Sequence, residues 1–222
     1  MNKTIVICCP GDSFSGRFIK CLTQLIKELN KKDFKVYFCS TYSRNIYEVR
    51  NKCMLGNPKK GSNQQPFNGL KYDYILWIDN DILFTPADFE LLYKEDKDVI
   101  SGLYLMSNNK QFAAVEYWDE DYFRKNGTFE FLEKTDRRAK SRGPGISFKV
   151  EYVGFGFLLF KYGIFEQLKY PWFEPEYLQI KELKDYCMED VALCLKLKNK
   201  KIDVHVHPGV VVGHEKVTEL RL

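Results

Sequence analysis

The spacing of apolar positions changes several times along the chain, and each change marks an element. Thr4 to Cys9 is an apolar run closed by Pro10-Gly11-Asp12, which predicts a buried first strand and a turn. Phe14, Phe18, Leu22, Leu25 and Leu29 then recur every three to four residues, the stripe of a core-facing helix, with Asp12, Ser13 or Ser15 available as its N-cap. Lys35 to Cys39 predicts a second strand, Ile46 to Met54 a helix carrying Arg50 and Asn51, and the polar, turn-rich residues 56–70 a loop. Tyr74 to Ile78 predicts a third strand. Thr85-Pro86 opens a short helix, with Thr85 capping, Pro86 at the first helical position and Asp88 reaching back, and Asp98 to Leu105 predicts a fourth strand. Strands alternating with helices imply a mostly parallel sheet covered on both faces, with ligands at the carboxyl ends of the strands.

The second half is less regular. Phe112 to Glu116 and Phe129 to Glu133 predict short antiparallel strands, and Lys149 to Val153 another strand. Gly154-Phe155-Gly156 marks a close approach, and Phe157 to Leu168 is an apolar segment turning helical. The PWFEPEY stretch at 171–177 predicts a rigid aromatic loop, Glu189 to Leu197 a helix, Val204 to His207 a strand, and Val210 to Gly213 leads into His214. Residues 134–145, KTDRRAKSRGPG, are charged and without periodicity: a solvated loop, or a lid on an anionic ligand.

Length and composition narrow the class. With 222 residues the chain suits one substantial α/β domain. A net charge of +4 is too small for a nucleic-acid footprint, so no nucleic-acid partner is expected. Seven cysteines without a CxxC pair, mostly inside apolar runs, suggest packed thiols and a reducing compartment. The first apolar run is too short for a signal sequence or a membrane span, which points to a cytoplasmic location.

The candidate chemistry begins at Asp79-Asn80-Asp81, where a greasy strand meets two carboxylates and then turns apolar again. The triplet can serve a divalent cation, or it can be turn chemistry, which Asp and Asn also favour. Apolar residues on both sides weigh toward a cation, because buried carboxylates are costly without a partner. His214 follows an apolar strand and a glycine, and it reads as a third ligand or as an exposed histidine near the end of the sequence. His205 and His207 read as sheet packing. Glu189 and Asp190 open a helix, where the macrodipole alone favours acids; functionally, one would reach the cleft as general base while the other holds neighbouring structure.

Taken in order, IVICCPGD, EVRNKC, WIDND, DVISGLY, EYVGFGFLLF, PWF, MEDVALCLK and GHEK resemble the GT-A-type glycosyltransferases. The resemblance is to the small family-2-like enzymes of large viruses and phages, including the amino-terminal glycosyltransferase domains of chlorovirus capsid-glycan-synthesising proteins. It implies a GT-A fold, a central mostly parallel mixed sheet flanked by helices, with residues 1–106 as a nucleotide-binding half and 107–222 as an acceptor-binding half, and one module of a longer polypeptide acting in the host cytoplasm. It also implies metal-dependent transfer of a hexose from a UDP-sugar, such as UDP-glucose, to a hydroxyl of a glycan or glycoprotein acceptor. Asp79 would lie by the ribose and the metal, Asp81 and His214 would bind Mn2+ or Mg2+, and Arg50 would face the phosphates. Pro10 and Asp12 would lie by the base, Asn80 by the nucleotide, and Gly154 and Gly156 by the donor sugar. Asp190 would be the base of an inverting transfer, with a retaining route open because Met188 stands where the family has Gly or Thr. Trp172 and Phe173 would be an acceptor platform or simply core.

Three other readings compete. A haloacid-dehalogenase-type phosphatase also uses Asp-x-Asp, but on its first strand. A nucleotidyltransferase would carry a glycine-rich basic loop after that strand, which CCPGDSFSGRF lacks. A sugar-nucleotide or glycan-binding module without turnover would need no base at Asp190.

Overall fold

The computed structural model describes residues 3–135 and 146–216. Its first half follows the predicted alternation: β1 (Thr4–Cys8), α1 (Gly16–Lys31), β2 (Lys35–Cys39), α2 (Ile46–Cys53), β3 (Tyr74–Ile78), a short β4 (Ile82–Leu83), α3 (Pro86–Lys94) and β5 (Val99–Leu103). Of the three candidate N-caps for α1, Ser15 takes the role, its Oγ accepting from the Phe18 N–H at 3.1 Å. Phe14 precedes the helix and stacks on Phe18 instead of continuing the stripe. At α3 the capping box forms as expected, Asp88 Oδ2 accepting from the Thr85 N–H at 2.7 Å while Thr85 Oγ1 faces the Asp88 N–H.

The remainder comprises β6 (Ala114–Val115), α4 (Glu120–Asn126), β7 (Phe148–Val150), β8 (Tyr152–Val153), β9 (Phe157–Lys161), β10 (Glu176–Ile180), β11 (Leu183–Cys187), α5 (Glu189–Asn199), β12 (Val204–Val211) and β13 (Gly213–His214). A seven-stranded sheet has the order β2-β1-β3-β9-β5-β12-β7. β2, β1, β3, β5 and β12 share one direction, while β9 and β7 run against it. α1 and α3 cover one face through Phe18, Leu25, Leu29 and Phe89; α2 and α5 cover the other through Cys53, Leu193 and Leu197.

Several expectations change here. Phe157–Lys161 is a central strand wedged between β3 and β5, and only Phe165–Gln167 of that segment turns helical. An apolar run buried on both faces does not reveal its period, which is why the segment looked helical. Phe129 to Glu133 forms no strand, only a bridge from Glu133 to Gln111, and the strand expected at 112–116 shortens to Ala114–Val115. Glu151 splits the strand expected at 149–153, since β7 pairs with β12 while β8 pairs with β6. Trp172 and Phe173 are core: they are 0% and 2% exposed, and Asn51 clamps Phe173 through both its N–H and its carbonyl. Of the expected loop or lid at 134–145, residues 136–145 lie outside those described. Among the described residues no helix is long and apolar enough to cross a membrane.

Candidate active site

Why a buried strand ends in two aspartates is answered by β4. The Asp79 N–H still donates to Gly156 O at 3.1 Å, and Asp79 O accepts from the Ile82 N–H at 3.1 Å, closing a tight turn. The chain then re-enters the core at Ile82 and Phe84, and β4 pairs antiparallel with β13, placing His214 opposite Ile82. That pairing brings residues more than a hundred positions apart to one strand end. The His214 ring sits with Nε2 3.1 Å from Asp81 Oδ2 and Nδ1 2.7 Å from Leu105 O. Lys216 Nζ also reaches Asp81 Oδ2, at 2.7 Å.

The His214 geometry constrains what can sit there. A carbonyl oxygen only accepts, so Nδ1 carries the proton, and Nε2 faces a carboxylate that likewise only accepts. The contact therefore needs positive charge, either as a second ring proton or as a cation held by both side chains. A metal-binding histidine likewise fixes one ring nitrogen on a backbone carbonyl and turns the other toward the ion, the position Nε2 has here beside Asp81. Asp81 and His214 thus fit a divalent cation, with the Lys216 ammonium now against the same oxygen. Among the described residues no three acidic, histidine or cysteine side chains are gathered as a ready-made metal cage. Asp79, the third expected ligand, instead binds Arg50 Nη1 through Oδ1 at 2.9 Å.

Arg50 is the hinge between two acid groups. It is 3% exposed, lies against the rings of Trp77 and Phe155, and holds Glu189 Oε1 at 3.1 Å as well as Asp79. Burial opposes its charge, but Asp79 and Glu189 overcome that and raise the guanidinium above its usual range. The adjacent acids of α5 differ in their surroundings. Both line the cavity, but Glu189 is buried on Arg50 whereas Asp190 is partly exposed, its Oδ2 accepting from Tyr152 Oη at 2.8 Å and its Oδ1 from the Val191 N–H at 2.7 Å. Burial and the neighbouring Glu189 charge raise Asp190 to about 6, against the pull of those two hydrogen bonds.

Pro10, Arg50, Asp79, Asn80, Asp81 and Asp190 line one cavity of about 570 Å³ at the carboxyl ends of β1 and β3. Asn80 also donates its amide to Ser13 O at 3.0 Å, tying down the loop after β1. Asp12 is exposed and is not part of the lining. Gly154 and Gly156 are buried beneath Tyr104, whose hydroxyl stands 2.0 Å from where a Gly154 Cβ would be and whose ring stands 2.5 Å from one at Gly156. Their missing side chains make room for that tyrosine, which itself lines the cavity. Sequence reasoning passed over Tyr104, Tyr152 and Lys216. All three sit inside the quoted DVISGLY, EYVGFGFLLF and GHEK motifs, but nothing local in sequence distinguishes them.

No protein-family model and no curated protein sequence matches the chain. Its structure is similar to A197 from STIV, at a TM-score of 0.50 and 18% identity over 99% of this chain and 97% of that one. It is also similar to GalNAc-T7, solved with UDP, GalNAc and Mn2+, at a TM-score of 0.57 and 11% identity over 98% of this chain and 44% of that one. With the sheet order and the cavity at the strand ends, these likenesses define a GT-A fold, that of the nucleotide-diphospho-sugar transferases. A phosphatase of the haloacid-dehalogenase type would need Asp79 as a free nucleophile, and here Arg50 holds it.

Proposed function

We propose that the chain is a metal-dependent glycosyltransferase that moves a hexose from a UDP-sugar to a hydroxyl of a glycan, with capsid-glycan synthesis as its setting. The observation that carries this reading is the opening of the Asp79-Asn80-Asp81 turn and the pKa-raised Asp190 onto one cavity, with His214 fixed against Asp81. Asp81 and His214 would hold the Mn2+ or Mg2+, with Asp79 beside it. The ion's contribution is to neutralise the donor's diphosphate and so improve it as a leaving group. Pro10 and Asn80, at the end of the cavity formed by β1 and β3, border the nucleotide.

Asp190 removes the acceptor hydroxyl's proton as that oxygen attacks the anomeric carbon, and the diphosphate departs from the opposite face, inverting the centre. A carboxylate at about 6 is ionised at neutral pH yet more basic than an ordinary aspartate, which suits that transfer. Tyr152 Oη and the Val191 N–H aim the carboxylate, and Glu189 on Arg50 anchors the helix turn that presents it.

The test is to incubate the protein with UDP-glucose and other nucleotide sugars, Mn2+ and glycan acceptors, and to follow nucleoside diphosphate release. Release that requires metal and acceptor and is lost in Asp190→Asn supports the reading. Release indifferent to Asp190→Asn rejects the base, and absence of release with every donor rejects the function.

A further inference from the structure

The cavity has two chemically different ends. One gathers the aspartates of the β3 turn. The other is walled by aromatic rings from residues 123–131, a region with one short helix and no strand. Phe129 and Phe131 line the cavity there, with Phe131 6.1 Å from the ring of Tyr152, the tyrosine that donates to Asp190. Phe123, also in the lining, and Trp118 pack on Phe129 at centroid distances of 5.0 and 4.5 Å, so the Phe129 ring is held in place. Trp172 and Phe173 show what aromatics required only for the core look like: they are buried, whereas Phe129 and Phe131 are half-exposed.

We propose that Phe129 and Phe131 form the stacking surface for the pyranose ring of a saccharide acceptor, a proposal that rests on the glycosyltransferase reading. The lining at this end suits that ligand and few others. Among the described residues it offers apolar ring faces together with the Asp185 and Asp190 carboxylates and Thr128, while Arg50, the cation of the cavity lining, is held by Asp79 and Glu189. Two carboxylates repel a diphosphate, so a nucleotide is disfavoured there. A pyranose is neutral, with a C–H face that packs on an aromatic ring and a rim of hydroxyls that donate to carboxylates. A ring stacked beside Tyr152 also has its hydroxyls within the same compartment as Asp190. The exposed Tyr177 and Tyr186, by contrast, pair across the β10–β11 hairpin and alternate with Asp185, so they face away from this compartment.

The test reads binding without turnover. Saturation-transfer NMR on the protein with UDP and Mn2+ would use the methyl α- and β-pyranosides of glucose and galactose as probes, with UDP affinity measured in parallel. The expected result is saturation of ring C–H protons in the wild type, reduced about tenfold in Phe129→Ala and Phe131→Ala and restored in Phe131→Tyr, with UDP affinity unchanged. No saturation with any of the four glycosides, saturation undiminished in the alanine variants, or a fall in UDP affinity in their place would each overturn the proposal. Glycoside binding by a wild type that fails to bind UDP would instead overturn the glycosyltransferase reading and leave the stacking surface in place.

Discussion

The carboxylates at the two ends of the cavity are treated in opposite ways. At the β3 turn each aspartate meets a cationic side chain, Arg50 for Asp79 and Lys216 for Asp81, which also faces the His214 ring. At the start of α5 Asp190 meets only neutral donors, a phenol and a backbone N–H, and the charge that acts on it most strongly is the like-signed Glu189. On the proposed reading, the same functional group is set at one end to hold positive charge and at the other to exchange a proton. Environment, not residue type, makes that assignment. Arg50 joins the two ends, because a single buried guanidinium binds the turn and the helix together.

Substitutions sharpen the contrast. The largest effect is expected for Asp190→Asn, a loss of about a thousandfold in transfer rate measured at saturating donor, as for other positioned bases. In the wild type the rate should climb with pH through about 6 and then level off, because the ionised form is the active one. Next comes Arg50→Met, which strands Glu189 and Asp79 and should cost about 3 kcal/mol in denaturant unfolding. Arg50→Lys should recover little of it, since an ammonium cannot bridge two carboxylates with the guanidinium's fixed fork. His214→Ala should weaken Mn2+ binding by roughly fiftyfold in a metal titration, with the fold intact. Gly154→Ala forces a Cβ against the Tyr104 hydroxyl and should cost about 2 kcal/mol, visible as a lowered Tm.

The smallest effect carries a sign that separates the two ends. Asp190 has its pKa raised on folding, so ionising it works against the folded state: stability is fully present below the ordinary aspartate range and declines as pH rises through about 6. Asp190→Asn should therefore be more stable than the wild type by about 1 kcal/mol at pH 8, after discounting for solvent at the cavity mouth, and should gain little at pH 4.

How much of this was legible depended on whether the signal was local. The first four strands of the alternation, the Thr85 capping box and the acids of the Asp79 turn are written in short stretches, and the structure carries them. The strand at Phe157–Lys161 was not legible as a strand, because full burial on both faces erases the alternation that announces one. Likewise the β10–β11 hairpin was hidden: its polar, aromatic strands at Glu176–Ile180 and Leu183–Cys187 lack a strong turn signature between them. At the site, Arg50 and His214 were identified as participants, but their partners depend on contacts between remote segments. That Arg50 would be consumed by Asp79 and Glu189 follows from the packing of α2 against α5 and β3, which no motif spells out.

The central claim, that the turn end of the cavity holds a cation and the helix end does not, is tested most directly by calorimetric titration of UDP with and without Mn2+. Wild type, Asp81→Asn and Asp190→Asn would be compared. The account predicts Mn2+-dependent UDP binding in the wild type, its loss in Asp81→Asn and its retention in Asp190→Asn. UDP binding that is indifferent to Mn2+, or lost equally in both variants, would contradict it.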